Sequence, residues 1–151
     1  MQNPLCADML HLQLLTQALP VILMEWNHTG IVTSIQGRGL HHLGITPGQV
    51  LGRSVFELVQ HDADIQEHIR NALAGEAFTA IVTFRDRIFE TYYRPIRQSL
   101  DQELRVVSIA LDITERTLLG EHLLQCLAKA PHGNLPLRND GDPVEAACAR
   151  L

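Results

Sequence analysis

The chain has 151 residues, 46% of them hydrophobic, and a net charge of −5. That length suits one domain with extensions, and the mild acidity excludes the basic footprint of a nucleic-acid binder. The longest apolar run, Ala18–Met24, falls far short of the roughly 20 residues of a membrane span, and no basic-then-apolar leader is expected at the N-terminus.

Residues 5–19 predict a helix, because Leu5, Met9, Leu12, Leu15 and Leu19 follow the three-to-four spacing of an amphipathic or coiled-coil seam. Pro20 ends it. Val21–Trp26 and Ile31–Gln36 flank the turn residues Asn27–Gly30, which predicts an antiparallel hairpin. The Gly-punctuated stretch from Gly37 to Gly52 predicts two short helical turns, near Leu40–Leu43 and Pro47–Leu51. Ser54–Val59 reads as another short helix. Asp62 or Asp64 then caps a longer one running to about Leu73, with Ile65, Ile69 and Leu73 on one face.

Three strands follow: Phe78–Phe84, Arg87–Ile96 after the tight connection Arg85-Asp86, and Leu104–Ile113 after the polar loop Arg97–Glu103. Val106, Val107, Ile109 and Leu111 leave little polar on either side of the last strand, so a strand covered on both faces is expected. A helix over 118–128 comes next, with Leu119 and Leu123 on one face. Residues 129–142 are rich in Pro and Gly and predict a linker, and Asp142-Pro143-Val144-Glu145 has the form of a fresh helix start.

The most informative stretch is Arg105–Thr117, reading RVVSIALDITERT. The apolar strand runs straight into the helix. Asp112 and Glu115 stand three apart, as in a capping box with an acidic N-cap, and Asp112 and Arg116 stand four apart, close enough to pair across the first turn. Thr114 and Glu115 are secondary caps. A joint of this kind is stiff and can carry a displacement of the sheet into the helix.

DITER after a hydrophobic strand resembles the end of a PAS domain. So do the upstream landmarks, in the right order: Asn27-His28-Thr29-Gly30, the strand to Gln36, then Gly44 and Gly52 eight apart, Leu73-Ala74-Gly75-Glu76, and the strand FETYYRPI from Phe89. The resemblance covers roughly residues 18–117. Gln36 departs from it, standing where an Asn is usual. The resemblance implies an α+β fold, a five-stranded antiparallel sheet with short helices on one face and flanking N- and C-terminal helices. It divides the chain into a flanking helix (1–19), a PAS core (20–114), a signalling helix (115–128) and a linker with the start of a further helix or tail (129–151).

A small apolar ligand would lie between the long helix and the sheet, against Phe56, Ile65, Ile69, Phe89 and one of Tyr92 and Tyr93, which face opposite ways on a strand. That these side chains simply fill the core is an equal alternative. The resemblance would place a haem ligand on the longest helix, so His61 and His68 are the candidates, with solvated or capping histidine the default. No Cys lies between residues 7 and 125, which excludes a thiol-linked flavin or other chromophore in the domain. Aromatic residues make up only 5% of the chain, which argues against a noncovalent flavin. Cys6, Cys126 and Cys148 form no metal spacing and read as free thiols in a reducing cytoplasm. His41 and His42 are adjacent and point about 100° apart on a helix, so they do not chelate one ion.

No nucleophile–base–orienter set and no phosphate loop is legible, so catalysis is not expected. The resemblance implies a cytoplasmic sensory module of a bacterial signalling protein, such as a two-component histidine kinase or a cyclase. It would pass a ligand or partner signal through Asp112–Arg116 to an output domain and form a homodimer through the flanking helices. The alternative is a ligand-free module whose 5–19 seam and Leu119/Leu123 face pair two copies.

Overall fold

The computed structural model describes residues 4–97 and 103–129, with side chains from Ala7 onward. The expectations for the middle of the loop 97–103 and for 130–151 lie outside the described residues. The elements are α1 (Pro4–Ala18), β1 (Val21–Asn27), β2 (Val32–Gln36), α2 (Gly39–Leu43), a 3-10 turn at Pro47–Gln49, α3 (Val55–Leu58), α4 (Ala63–Leu73), β3 (Phe78–Phe84), β4 (Arg87–Arg97), β5 (Leu104–Asp112) and α5 (Thr114–Lys129). The described residues fall into two units, one ending at Asp112 and one beginning at Ile113. No helix among the described residues is long and apolar enough to cross a membrane.

The sheet is five-stranded and antiparallel, in the order β2-β1-β5-β4-β3. The first and last strands in sequence that frame the domain, β1 and β5, therefore lie side by side near its middle. Val21 pairs with Leu111 and Asn27 with Arg105, and the Asp112 N–H donates to the Pro20 carbonyl at 2.9 Å.

Local chemistry explains each boundary. Asn27 closes the β1–β2 turn with its side chain, Oδ1 accepting from the Thr29 and Ile31 N–H groups at 3.0 Å. Gly44 ends α2 in the left-handed conformation, φ 64°. Ser54 caps α3 by accepting from Phe56 N–H, and Asp62, not Asp64, caps α4 by accepting from Ile65 N–H at 3.1 Å. The β3–β4 turn places both Arg85 (φ 48°) and Asp86 (φ 63°) in the left-handed region, as a two-residue hairpin of matching twist requires.

The core lies between one sheet face and the short helices. Trp26, Val32, Val55, Ile69 and Val106 are fully buried there, with Ile65, Ala72, Val82 and Tyr93 around them. Gly37 and Gly39 let the chain entering α2 press against the backbone of β1. Gly37 has φ +126°, and a Cβ on it would collide with the Val21 carbonyl oxygen.

One expectation needs correction here. The last strand is not covered on both faces: Val106 and Ser108 are buried, while Ile109 on the opposite face is 40% exposed. On α1, Met9, Leu12, Leu15 and Leu19 of the leucine seam are all exposed, and Thr16 is a buried side chain.

Candidate functional site

The inner sheet face is built by alternation. Ile22, Met24 and Trp26 on β1, Val106, Ser108 and Ala110 on β5, and Phe89, Thr91 and Tyr93 on β4 all point toward the helices. Register then stacks them in rows. Met24 pairs with Ser108, which pairs with Tyr93, and Ile22 pairs with Ala110, which pairs with Thr91. Opposite this face, α2, α3 and α4 present Leu40, Leu43, Val55, Leu58, Ile65 and Ile69.

Between the two layers is a cavity of about 150 Å3. Its wall is almost wholly apolar. The polar exceptions are Ser108 and Thr91, both buried, the Tyr93 phenol, the Trp26 indole and Arg85. Trp26 is 0% exposed and its Nε1 has no hydrogen-bond partner among the described residues. Burial first, and the nearby Asp62 carboxylate second, push the Tyr93 phenol from 10.0 up to about 12. It is neutral at any physiological pH, and a carboxylate lodged beside it would gain no cation there. Arg85, exposed on the β3–β4 turn, donates from Nη1 to the Leu43 carbonyl at 3.4 Å and so ties the hairpin tip to the end of α2 at the cavity wall.

A family profile of the PAS fold matches residues 16–118. The chain belongs to the PAS fold family. Solved structures share the architecture. An RNA-binding light-oxygen-voltage receptor aligns at a TM-score of 0.58 and 19% identity, over 85% of this chain and 38% of that one. The PAS domain of BvgS from Bordetella pertussis aligns at 0.52 and 21%, over 80% of this chain and 98% of that one. A PAS domain of an HTR-like protein from Haloarcula marismortui aligns at 0.51 and 24%, over 73% and 95%. No curated protein sequence matches the chain.

Four of the six sequence-predicted pocket residues of this PAS domain line the cavity: Ile65, Ile69, Phe89 and Tyr93. Two do not. Phe56 packs against the core cluster from α3, and Tyr92 points to the opposite sheet face because its neighbour Tyr93 takes the inner one. The histidine candidates for iron also stand elsewhere. His61 is exposed before α4, and His68 packs against the rings of Phe78 and Tyr93 at 5.7 and 5.9 Å, outside the cavity lining.

At the end of β5 the Asp112 side chain is 3% exposed, and its Oδ2 meets His42 Nδ1 at 3.0 Å and Arg87 Nη1 at 3.3 Å. The helix α5 begins at Thr114, so only Ile113 separates it from the strand. The Ile113 carbonyl accepts the Thr117 N–H at 2.9 Å. Glu115 lies in the first turn of α5, where an acidic side chain complements the helix dipole, and Arg116 follows it.

Cysteine chemistry requires another correction. Cys126, read from sequence as a free thiol, is buried and disulfide-bonded. This removes the cysteine argument for a reducing compartment. Sequence reasoning also passed over Trp26, Thr91, Ser108, Arg85 and Arg87, and weighed His42 only as a metal ligand. The one available signal was the apolar alternation Ile22-Met24-Trp26, which ends on the chain's single tryptophan.

Proposed function

We propose that this PAS domain is a sensory module. A small molecule in the cavity biases β5, and β5 passes the change through Asp112 into α5 and on to an output domain or partner. The observation that carries this reading is the apolar cavity between the sheet and the short helices, with buried Ser108 and Thr91 among its few polar groups. A cavity of this kind leaves packing contacts unmade, and an occupant supplies them. Ser108 and Ala110 line that cavity and lie on the strand that ends at Asp112. Family resemblance makes a histidine kinase or comparable enzyme the expected recipient, and no catalysis is assigned to the domain itself.

Xenon tests the relay without knowledge of the natural ligand, because dry apolar cavities of this size take it up. Under xenon pressure, amide signals of the cavity wall should shift, and the shifts should continue past Asp112 into Thr114–Thr117. Shifts confined to the wall would refute the relay. The Asp112→Ala protein should show the truncated pattern.

A second reading is favoured by the surfaces of α1 and α5. Met9, Leu12 and Leu15 on α1, and Leu119, Leu123 and Leu124 on α5, are all exposed. A second copy of the chain covering either set would make the module a homodimer. Sedimentation equilibrium of the full chain and of Leu12→Glu and Leu119→Glu variants tests this, and a monomer at high micromolar concentration would refute it.

A further inference from the structure

We propose that the free edge of β3 is a self-pairing surface. It takes the β3 of a second copy of this chain, antiparallel about a two-fold axis at Ile81, so that two sheets run on as one. The proposal goes beyond the sensory reading and uses a surface separate from the leucines of α1 and α5.

The geometry of the hairpin leaves one side of β3 bare. β3 ends the strand order β2-β1-β5-β4-β3, and among the described residues no strand lies on its outer side. Its register against β4 is unbroken from Phe78 opposite Tyr93 to Phe84 opposite Arg87, where the two-residue turn Arg85-Asp86 closes it. In such a hairpin the pair that closes the turn exchanges backbone hydrogen bonds, and the pairs alternate from there. Phe78, Ala80, Val82 and Phe84 therefore bond to β4, while the N–H and C=O groups of Thr79, Ile81 and Thr83 point away from it. Outside the sheet ladder those three residues have no backbone partner among the described residues.

Nothing on the strand blunts this edge. Thr79, Ile81 and Thr83 are exposed, Ile81 at 61%. The sequence FTAIVTF has no charge and no Pro, and its register shows no bulge, so the usual guards against edge pairing are missing. The opposite edge is guarded. β2 has five residues, its register against β1 shifts between Glu25 and Trp26, and its outer side is taken at Val32. There the Val32 N–H donates to the Arg53 carbonyl at 2.9 Å and the Gly52 N–H to the Val32 carbonyl at 3.0 Å. Each copy thus offers one open edge, and pairing closes at two.

The identity of the partner follows from the order of residues. Phe78-Thr79-Ala80-Ile81-Val82-Thr83-Phe84 reads nearly the same in both directions. Turned antiparallel about Ile81, the strand sets Ile81 against itself and Thr79 against Thr83 on the outer face. On the inner face it sets Ala80 against Val82, and Phe78 against Phe84 at each end. Every free N–H then meets a free C=O, and the threonine and aromatic pairs are favourable across strands. Sliding the register leaves outward groups of Thr79 or Thr83 unmatched.

Amide hydrogen exchange of the full chain tests this, because neighbouring residues of β3 should behave oppositely. Ala80, Val82 and Phe84 should exchange slowly at every concentration. Thr79, Ile81 and Thr83 should exchange fast when dilute and about tenfold more slowly at millimolar concentration, where sedimentation equilibrium should show a dimer. Ile81→Lys preserves the fold, since that side chain is exposed, and sets like charges face to face at the axis. It should weaken the dimer about tenfold, and mixing it with an Ile81→Glu chain should restore pairing to within about threefold of the original.

Unchanged exchange at Thr79, Ile81 and Thr83 up to millimolar concentration would overturn the proposal, even for a chain that dimerises through α1 or α5. So would undiminished pairing of Ile81→Lys, a Lys and Glu mixture that stays monomeric, or assemblies that keep growing past the dimer. A dimer abolished by Ile81→Lys and indifferent to Leu12→Glu and Leu119→Glu would uphold the proposal and sink the helix-paired module. The xenon relay stands or falls apart from either result.

Discussion

Replacing Asp112 by Ala removes a carboxylate that is 3% exposed from between two partners, the His42 imidazole at 3.0 Å and the Arg87 guanidinium at 3.3 Å, each 31% exposed. Breaking a fully buried pair costs about 3–5 kcal/mol, because the abandoned charge has no water to return to. Breaking an exposed pair costs about 0–1 kcal/mol. The carboxylate belongs to the first class, but Arg87 and His42 keep a third of their side chains in solvent and can rehydrate. The expected loss is therefore about 2 kcal/mol, read as a lower urea midpoint at unchanged slope. A double-mutant cycle separates the pair from everything else Asp112 does. Asp112→Ala and Arg87→Ala together should destabilise less than the sum of the single changes, by about 1 kcal/mol. His42→Ala should couple to Asp112 in the same direction and less strongly, since of the two partners only the guanidinium carries a fixed charge. Additivity of Asp112 and Arg87 within about 0.3 kcal/mol would refute the argument that this contact anchors the end of β5.

Alkaline pH gives an independent reading of the core. The Tyr93 phenol ionises at 10.0 when unfolded and near 12 when folded, so above pH 10 the unfolded chain binds fewer protons than the native one. Stability from this group is intact below pH 10 and falls between 10 and 12, by up to about 1.4 kcal/mol per pH unit. Tyr93→Phe should flatten that limb of the denaturation profile, and identical limbs would count against the assignment. Gly37→Ala places a methyl group into the Val21 carbonyl at a left-handed φ. It should cost roughly 3 kcal/mol or more or leave little folded protein, as judged by thermal unfolding. Near wild-type stability would mean that α2 does not sit against β1 as described. The turn Arg85-Asp86 holds two non-Gly residues at positive φ. Substituting Asn-Gly should stabilise the hairpin by about 1 kcal/mol while removing the tie to Leu43, so that toluene enters and leaves the cavity faster in relaxation-dispersion measurements.

What could be read from the sequence was whatever short-range chemistry decides. The β3 boundaries, the Asn27 turn, the Asp62 cap and the near-absence of a loop before α5 each depend on residues within a few positions of one another, and each appears where its pattern places it. Long-range pairing was not legible. The partners of Asp112 include a histidine 70 residues away, and nothing in the dipeptide His41-His42 signals which of the two reaches it. The choice between Tyr92 and Tyr93 turns on parity: the strand's register against Ser108 decides which ring enters the core. Phe56 failed as a pocket residue for a related reason, because α3 is a single turn whose one buried position is Val55. The β5 strand looked two-sided because its outer residues are apolar, yet apolar character does not guarantee cover. The cavity itself is a property of how the surrounding strands and helices fail to fill a space, and no periodicity encodes that.

The side-by-side placement of β1 and β5 has a mechanical side. Their junction at the Pro20 carbonyl and the Asp112 amide lies where the ladder begins for one strand and ends for the other. Tension pulling residues 20 and 112 apart would load the backbone bonds one after another, like a zip, instead of all at once as in shear. The domain should therefore open at low force from that end, and Asp112 would be the first residue of the strand to feel the pull.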